Sequence, residues 1–250
     1  MVRLLSVLLL TTATAMSARA ETLRVAVASP FAPTLRQVAP LFEAATGHHP
    51  LVDAASTGTL VARIAKGVPF DLLLADDAAR PFELERRGFA APGGRFTYAL
   101  GRLALVSRRR DAPPGPSALT DDREGKIALP DPGAAPYGEA GREVLVRLGV
   151  GDPARLVVTK NVATAFRLVA TGEARYGLVA AALVPQGEKE GIGLLWDIPD
   201  TMHPPIIQQG VVLKGGKQEA LARRFVDFLL HDPAAMKLIA GGGYHLPPAR

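Results

Sequence analysis

The sequence contains no cysteine among its 250 residues. This absence excludes disulfide bonds, a thiol nucleophile and a thiolate metal site. Aromatic residues make up only 6% of the chain, and few of them lie between the basic residues. A nucleic-acid-binding surface combines clustered basic residues with aromatic side chains that stack on bases, so no nucleic-acid partner is expected.

Motifs that mark common enzyme classes are missing as well. The chain has no G-x-S-x-G, no phosphate-binding P-loop and no G-x-G-x-x-G. An exported hydrolase would have only Ser29 or Ser56 as its nucleophile, with no convincing histidine partner. The histidines also lack metal-binding spacing such as H-x-x-x-H. We therefore expect neither an enzyme nor a cofactor.

The first 20 residues have the features of a cleavable export signal. Arg3 precedes an apolar run from Leu4 to Thr12, and Ala18-Arg19-Ala20 is an A-x-A cleavage pattern. No later stretch approaches the ~20 apolar residues that a membrane span needs. We expect residues 1–20 to be a signal peptide and the mature protein to be periplasmic. An uncleaved N-terminal anchor is the alternative.

The exported form remains mildly basic. Two of the 29 basic residues lie in the leader, so the formal net charge of +5 falls to about +3 after cleavage. The remaining basic residues are scattered along the chain, with short runs at Arg86-Arg87, Arg108-Arg109-Arg110 and Arg223-Arg224. This distribution predicts a modestly anion-friendly surface.

Strand and helix patterns alternate along the mature chain. A strand at residues 23–28 is followed by a helical pattern that ends at Gly47, and the same order recurs twice before Gly88. It resumes after a loop rich in Arg, Pro and Gly at residues 108–118. Such alternation predicts an α/β fold with mainly parallel sheets flanked by helices.

Two extended runs, near residues 97–107 and 205–213, interrupt this order. We interpret them as two hinge crossings between two α/β lobes. Lobe I is expected to comprise residues 21–99 and 209–250, and lobe II residues 100–208. Two lobes joined by two hinge strands form a cleft that can close on a ligand.

Four loops share small or hydroxyl-bearing residues with backbone N–H groups that could bind a ligand. They contain Ser29, Ser56-Thr57-Gly58, Pro136-Tyr137-Gly138 and Asn161-Val162. Most of them precede a predicted helix, where the positive end of the helix dipole favours an anion. Ligands of open α/β sheets gather at the carboxyl ends of the strands. We therefore expect the loops, two from each lobe, to face one another across the cleft.

Five segments, in a fixed order, carry recognisable patterns. They are Val25 to Ser29, Ser56 to Ile64, Gly67 to Asp76, Asp131 to Gly138 and Val162 to Ala165. In that order they resemble A-A-S, S-S-G/S-x-L-x-x-Q-I, G-A-P-A-D, D/N-P-x-x-x-P-A-G and V-R-x-A-L of the periplasmic molybdate-binding proteins of ABC transporters. The resemblance covers essentially the whole mature chain. It implies the two-lobed type II periplasmic binding protein fold.

The resemblance also implies which residues hold the ligand, a tetrahedral oxyanion. Ser29 and Thr57 would donate from hydroxyl and backbone groups. The backbone N–H groups of Tyr137 and Val162 would donate from the other lobe. Further candidates are Ser56, Gly58 and Ala180. If the anion contains a metal, Ser29, Thr57 and Val162 would bind its oxygen atoms, with no cationic side chain in the site.

Two positions depart from the family pattern. The tyrosine whose hydroxyl reaches the anion is replaced by Ala180, and the small alanine of P-A-G is replaced by Tyr137. Losing one hydrogen bond to a charged ligand would cost about 1.5–3 kcal/mol. We hypothesise that Tyr137 supplies the missing hydroxyl, and a hydroxyl that pointed to solvent would contradict this. Pro30 also removes an N–H group next to Ser29.

The resemblance therefore implies a solute-binding protein that captures molybdate or tungstate and delivers it to the membrane permease of an ABC importer. We expect a monomer in which ligand contacts favour the closed cleft. One alternative is the same fold binding another oxyanion or a small organic acid. A second is a sensory subunit that presents its liganded state to a membrane partner without transport.

Overall fold

The computed structural model describes residues 20–108 and 111–248. Its strands are β1 (Thr22–Ala28), β2 (His49–Ala55), β3 (Leu72–Leu74), β4 (Ala90–Gly101), β5 (Leu103–Ser107), β6 (Ile127–Pro130), β7 (Leu156–Thr159), β8 (Tyr176–Ala180), β9 (Gly193–Asp197), β10 (Ile206–Leu213) and β11 (Tyr244–His245). Its helices are α1 (Ala32–Thr46), α2 (Thr57–Ala65), α3 (Ala79–Arg86), α4 (Ser117–Thr120), α5 (Pro136–Arg147), α6 (Val162–Thr171), α7 (Val184–Lys189), α8 (Glu219–His231) and α9 (Pro233–Gly241). Apart from Ala20, the predicted signal peptide lies outside the described residues. None of the helices within these two stretches is long and apolar enough to cross a membrane.

The strands form two sheets. The first has the order β11-β4-β10-β3-β1-β2, and the second has the order β7-β6-β8-β5-β9. The chain passes from the first to the second between β4 and β5, which only Arg102 separates, and it returns between β9 and β10. The predicted α/β class of two sheets flanked by helices is thus confirmed.

Both sheets are mixed, whereas the sequence predicted mainly parallel ones. In the first sheet β1 runs parallel to β2 and β3, but β10 is antiparallel to β3 and β4. In the second, β6 runs parallel to β7 and β8, but β5 is antiparallel to β8 and β9. Strands joined by a helical crossover are parallel. The first strand after each crossing, β5 in the second sheet and β10 in the first, runs in the opposite direction to the parallel strands of its sheet.

Helices cover both faces of the first sheet. Successive residues of β1 alternate between the two apolar cores, since Val25 and Val27 face one and Ala26 faces the other. The first core contains α1, α8 and α9, where the rings of Phe42 and Phe225 meet edge to face with centroids 4.9 Å apart. The second contains α2 and α3.

The second sheet shares one core with α5 and α6, which includes Val144 and Phe166. Each sheet therefore has its helices held rigidly by buried apolar contacts. This packing fixes the helix N-termini at the carboxyl ends of the parallel strands, where the loops of interest lie.

Candidate functional site

A cleft of about 590 Å³ lies between the two sheets. Helices α2, α5 and α6 all begin at it. Its lining includes, from the first sheet and then the second, Ser29, Thr57, Asp76, Ala135, Tyr137 and Val162. Because the partial positive charges of three helix N-termini meet in one place, the cleft favours an anion.

Ser29 follows β1 and is half-buried in the cleft wall. Its backbone N–H donates to the Ala55 carbonyl at 3.0 Å, since the pairing of β1 with β2 continues to this point. The described chain provides no partner for its hydroxyl. The structure therefore leaves Ser29 one group for a ligand, the hydroxyl, where the sequence predicted two. Pro30, which also lines the cleft, has no N–H to add.

The start of α2 continues this wall. Ser56 caps the helix, because its Oγ accepts the backbone N–H of Thr59 at 3.3 Å and lies 2.8 Å from the Thr59 hydroxyl. The first N–H groups of a helix have no partner within it. Those of Thr57 and Gly58 make no other hydrogen bond in the described part of the chain, and both residues line the cleft. They are available to an anion.

The side chain of Thr57 is engaged by Asp76, which follows β3. The Thr57 hydroxyl donates to the Asp76 carboxylate and accepts the Asp76 backbone N–H at 3.3 Å. Burial raises the pKa of the Asp76 carboxyl group, although the hydrogen bond from Thr57 opposes the shift. The hydroxyl of Thr57 was expected to bind the ligand. In the structure this hydroxyl instead holds a carboxyl group against the cleft wall, and the backbone N–H of Thr57 is the group that stays available.

Asp77, the next residue, is buried and paired. Its carboxylate accepts the backbone N–H of Arg80 and one guanidinium N–H, both at 2.8 Å. The guanidinium also lies 3.5 Å from the Ala134 carbonyl, across the cleft in the loop that follows β6. Arg80 therefore bridges the two walls, while Asp77 balances its charge.

The second wall includes the start of α6. Asn161 caps this helix, because its Oδ1 accepts the backbone N–H of Thr164 at 2.9 Å and the Thr164 hydroxyl at 3.0 Å. Val162 is buried in the core, yet it also lines the cleft. As the first residue of the helix it has no helical partner for its N–H, which can therefore donate to a ligand as predicted.

Tyr137 is the second residue of α5, and its side chain is 2% exposed. Its hydroxyl accepts a hydrogen bond from Nε2 of Gln208 at 2.9 Å. Burial raises the pKa of this phenol, so the hydroxyl keeps its proton at neutral pH. The hydroxyl is turned inward and not toward solvent, so the outcome that would contradict the Tyr137 hypothesis is not observed.

Ala180 does not lie at the cleft surface. It is fully buried at the end of β8, where it pairs with Leu103 of β5, and it is absent from the lining of the cleft. Because Ala180 lies within the second sheet, it does not reach the cleft as the sequence predicted. Among the predicted site residues, Ala180 is the one that the structure does not bring to the others.

Three cationic side chains, Arg80, Lys160 and Arg167, also line the cleft, although the family pattern implies a site without them. Lys160 and Arg167 are exposed at its edge. Within residues 20–108 and 111–248, no three His, Asp or Glu side chains come together in a way that could hold a metal ion. The cleft therefore offers hydrogen-bond donors and positive charge.

Sequence reasoning missed Asp76 and Gln208 as members of this site. Asp76 was not predicted as a ligand-site residue, and Gln208 reaches Tyr137 from a strand 71 positions away along the chain. Asp76 follows the end of β3, and Gln208 lies within the extended run near residues 205–213, which was predicted as the second crossing. A polar side chain at each of these two places was the sequence signal that could have indicated a role in the site.

A cleft between two α/β halves, lined by helix N-termini and neutral donors, defines a protein that binds a small solute. The profile of the bacterial extracellular solute-binding proteins matches residues 23–245. The chain belongs to this family. It is accordingly a binding component of a transport system and not an enzyme.

Relatives with assigned functions cover nearly the whole chain. The molybdate-binding protein ModA of Azotobacter vinelandii is 35% identical over 235 residues, which are 93% of each chain. That of Rhodobacter capsulatus is 36% identical over 232 residues, which are 92% of this chain and 90% of the relative. The solved structure of the Azotobacter vinelandii periplasmic molybdate-binding protein matches with a TM-score of 0.79 at 35% identity. This match covers 90% of the present chain and 100% of the other.

Proposed function

We propose that the protein is a periplasmic solute-binding component that captures a tetrahedral oxyanion, molybdate or tungstate, for an ABC importer. The observation that carries the proposal is the convergence of α2, α5 and α6 on one cleft whose donors come from both sheets. The two relatives named as molybdate-binding proteins support the choice of ligand.

The donor set suits a dianion without a fixed cation in contact with it. The first wall offers the Ser29 hydroxyl and the N–H groups of Thr57 and Gly58. The second offers the N–H groups of Tyr137 and Val162. Hydrogen bonds to a charged acceptor are about twice as strong as those between neutral groups, and helix dipoles add to them. Such a set can replace the hydration shell of the anion.

In this proposal Tyr137 provides the side-chain hydroxyl that the family takes from the position of Ala180. Tyr137 lines the cleft, and its hydroxyl is a hydrogen-bond acceptor toward Gln208. A hydroxyl that accepts one bond still has its own proton to donate. The oxyanion is the acceptor that we assign to that proton.

Closure of the cleft would deliver the ligand. We propose that the two predicted lobes, residues 21–99 with 209–250 and residues 100–208, move relative to one another about the crossings at Arg102 and between β9 and β10. Residues 100–101 of β4 and 206–208 of β10 would move with the first lobe, because both strands belong to the first sheet. Ligand contacts to both walls would stabilise the closed form. The closed monomer would dock on the membrane permease, after export directed by residues 1–20.

The cleft volume favours one second candidate. About 590 Å³ is within the range of sites for organic ligands, and the cationic edge would suit a carboxylate. A small organic acid is therefore the alternative ligand. A sensory role would use the same bound state with a different membrane partner.

Thermal unfolding with a panel of ligands tests the proposal. The panel contains molybdate, tungstate, sulfate, phosphate and small organic acids, each with the mature protein at matched ionic strength. A ligand at 100 times its dissociation constant adds about 2.7 kcal/mol to the free energy of unfolding. We expect this stabilisation with molybdate or tungstate, confirmed by calorimetric titration. Stabilisation by an organic acid alone would replace the proposed ligand.

A further inference from the structure

A chain of buried hydrogen bonds lies directly behind Tyr137. The Tyr98 hydroxyl is 3.0 Å from both the Ala75 carbonyl and Oε1 of Gln208. Nε2 of Gln208 donates to the Tyr137 hydroxyl at 2.9 Å. Gln208 and Tyr98 are 0% exposed and Tyr137 is 2% exposed, so no solvent competes with these bonds.

The direction of these bonds decides where the Tyr137 proton can go. An amide nitrogen donates and cannot accept, whereas a phenol has one proton and lone pairs for acceptance. Tyr137 is therefore the acceptor in its bond with Gln208. The described chain provides no acceptor for its own proton. Tyr137 is also one of the residues that line the cleft.

We propose that Gln208 is a positioning residue that turns the Tyr137 hydroxyl so that it donates into the cleft. This inference rests on the proposed function, because the acceptor is the bound oxyanion. Gln208 does not contact the ligand. Its Nε2 donates to a lone pair of the Tyr137 hydroxyl, while its Oε1 is hydrogen-bonded to the Tyr98 hydroxyl.

The backbone around Gln208 is shaped for this contact. Gln208 pairs with Ala99 of β4, and the register of the two strands slips between Gln208 and Gln209. A Cβ at Gly101 of β4 would overlap the Tyr137 hydroxyl and lie 2.9 Å from Nε2 of Gln208. Gly101 therefore leaves the space in which the side chain of Tyr137, on α5, contacts that of Gln208, on β10. The bond joins the two sheets beside the crossing at Arg102.

The neighbouring residue provides a matched control. The side chain of Gln209 points away from Tyr137, because its Oε1 accepts from Arg95 at 3.0 Å and its Nε2 donates to Thr97 at 3.2 Å. Gln208→Glu and Gln209→Glu thus make the same chemical change on one strand. Only the first change reaches Tyr137.

Gln208→Glu preserves shape but reverses the hydrogen bond. A carboxylate accepts from both Tyr98 and Tyr137, so the Tyr137 proton turns away from the cleft. We expect the dissociation constant of molybdate at pH 7.5, measured by calorimetric titration, to rise at least tenfold, while Gln209→Glu stays within about threefold of wild type. The loss should shrink in a Tyr137→Phe background, because no proton remains to be turned. An equal loss in both backgrounds, or none in either, would overturn the inference.

A second measurement needs no ligand. The Raman tyrosine doublet distinguishes a phenol that accepts a hydrogen bond from one that donates, and the Tyr137→Phe difference spectrum isolates Tyr137 from the other three tyrosines of the chain. We expect an acceptor signature in the wild type and a donor signature in Gln208→Glu. An unchanged signature in Gln208→Glu would overturn the inference, whether or not the wild type binds an oxyanion. A wild type that bound no oxyanion would by itself refute only the proposed function. Thermal unfolding of each variant verifies that the fold is intact.

Discussion

The two walls of the cleft differ in how many of their donors are already used. On the first wall, the Ser29 N–H is bonded to Ala55, the Ser56 hydroxyl caps α2, and the Thr57 hydroxyl is bonded to Asp76. On the second wall, Asn161 caps α6, and no residue in the described part of the chain accepts the proton of the Tyr137 hydroxyl. The first wall also contains the Asp76 carboxyl group and Arg80, which is paired with Asp77, whereas Lys160 and Arg167 lie on the second.

Because of this difference, the two walls present different kinds of groups to a ligand. The first wall uses most of its side-chain groups to fix its own shape and presents mainly backbone N–H groups. Such groups hold any compact anion. The second wall adds exposed positive charge and, in our proposal, an oriented hydroxyl. Affinity should therefore depend on both walls, and the side-chain substitution with the largest effect should lie on the second.

Tyr137→Phe should cause the largest change. Removing one hydrogen bond to a charged ligand is worth about 1.5–3 kcal/mol, so the dissociation constant of molybdate should rise roughly ten- to a hundredfold. Tyr176→Phe is the matched control, because its hydroxyl donates to Asp122 at 2.9 Å, outside the cleft lining. Calorimetric titration of both variants measures the contrast. Equal affinities for wild type and Tyr137→Phe would remove the hydroxyl from the site.

Asp76→Asn should improve binding at neutral pH. The carboxylate lies on a wall that faces a dianion, and an isosteric amide removes the repulsion while it still accepts from Thr57. We expect affinity to rise about three- to tenfold. In the wild type, affinity should increase as the pH falls, because a bound anion raises the pKa of Asp76 further and favours proton uptake. Unaltered affinity, with no pH dependence in the wild type, would show that Asp76 does not sense the ligand.

The same carboxyl group should influence the free energy of unfolding in the absence of ligand. Its pKa in the folded protein lies above the ordinary value of 3.8, so the folded state binds the proton more tightly than the unfolded chain does. The resulting contribution of Asp76 to the free energy of unfolding is fully present below pH ~3.8. It is lost as the pH rises through the higher pKa of the folded state. Urea unfolding of Asp76→Asn should lack that decline. Asp53, whose pKa is lowered by its hydrogen bonds with Arg63, should show the opposite sign.

Thr57→Val tests whether the hydroxyl of the first wall is structural. The variant keeps the backbone N–H but removes the bond to Asp76, so we expect only about a threefold loss of affinity. The free energy of unfolding should fall by about 1–2 kcal/mol, because a buried polar group loses its partner. Chemical denaturation and titration measure the two effects. A tenfold loss of affinity with unchanged stability would mean that the hydroxyl contacts the ligand.

The sequence allowed the walls to be located but not their internal hydrogen bonds to be assigned. Caps such as Ser56 and Asn161 are local features, since the side chain bonds to an N–H three residues away. The alternation of strands and helices is also local, and it predicted the fold class. The partners of Thr57, Ser29 and Tyr137 depend on contacts between distant strands. Pairing of β10 with β4, which brings Gln208 to Tyr137, is a tertiary property that no local pattern encodes.

Lys160→Ala should cause the smallest change and should depend on salt. Lys160 is exposed at the edge of the second wall, so its attraction for an approaching anion is screened over about 10 Å at 0.1 M ionic strength. We expect affinity to fall about twofold at low ionic strength and to equal that of the wild type at 0.5 M salt. Lys66→Ala, at the far end of α2, is the control with the same charge change. A loss that persisted at high salt would place the ammonium group in direct contact with the ligand. It would then make the second wall a cationic site as well as a hydrogen-bonding one.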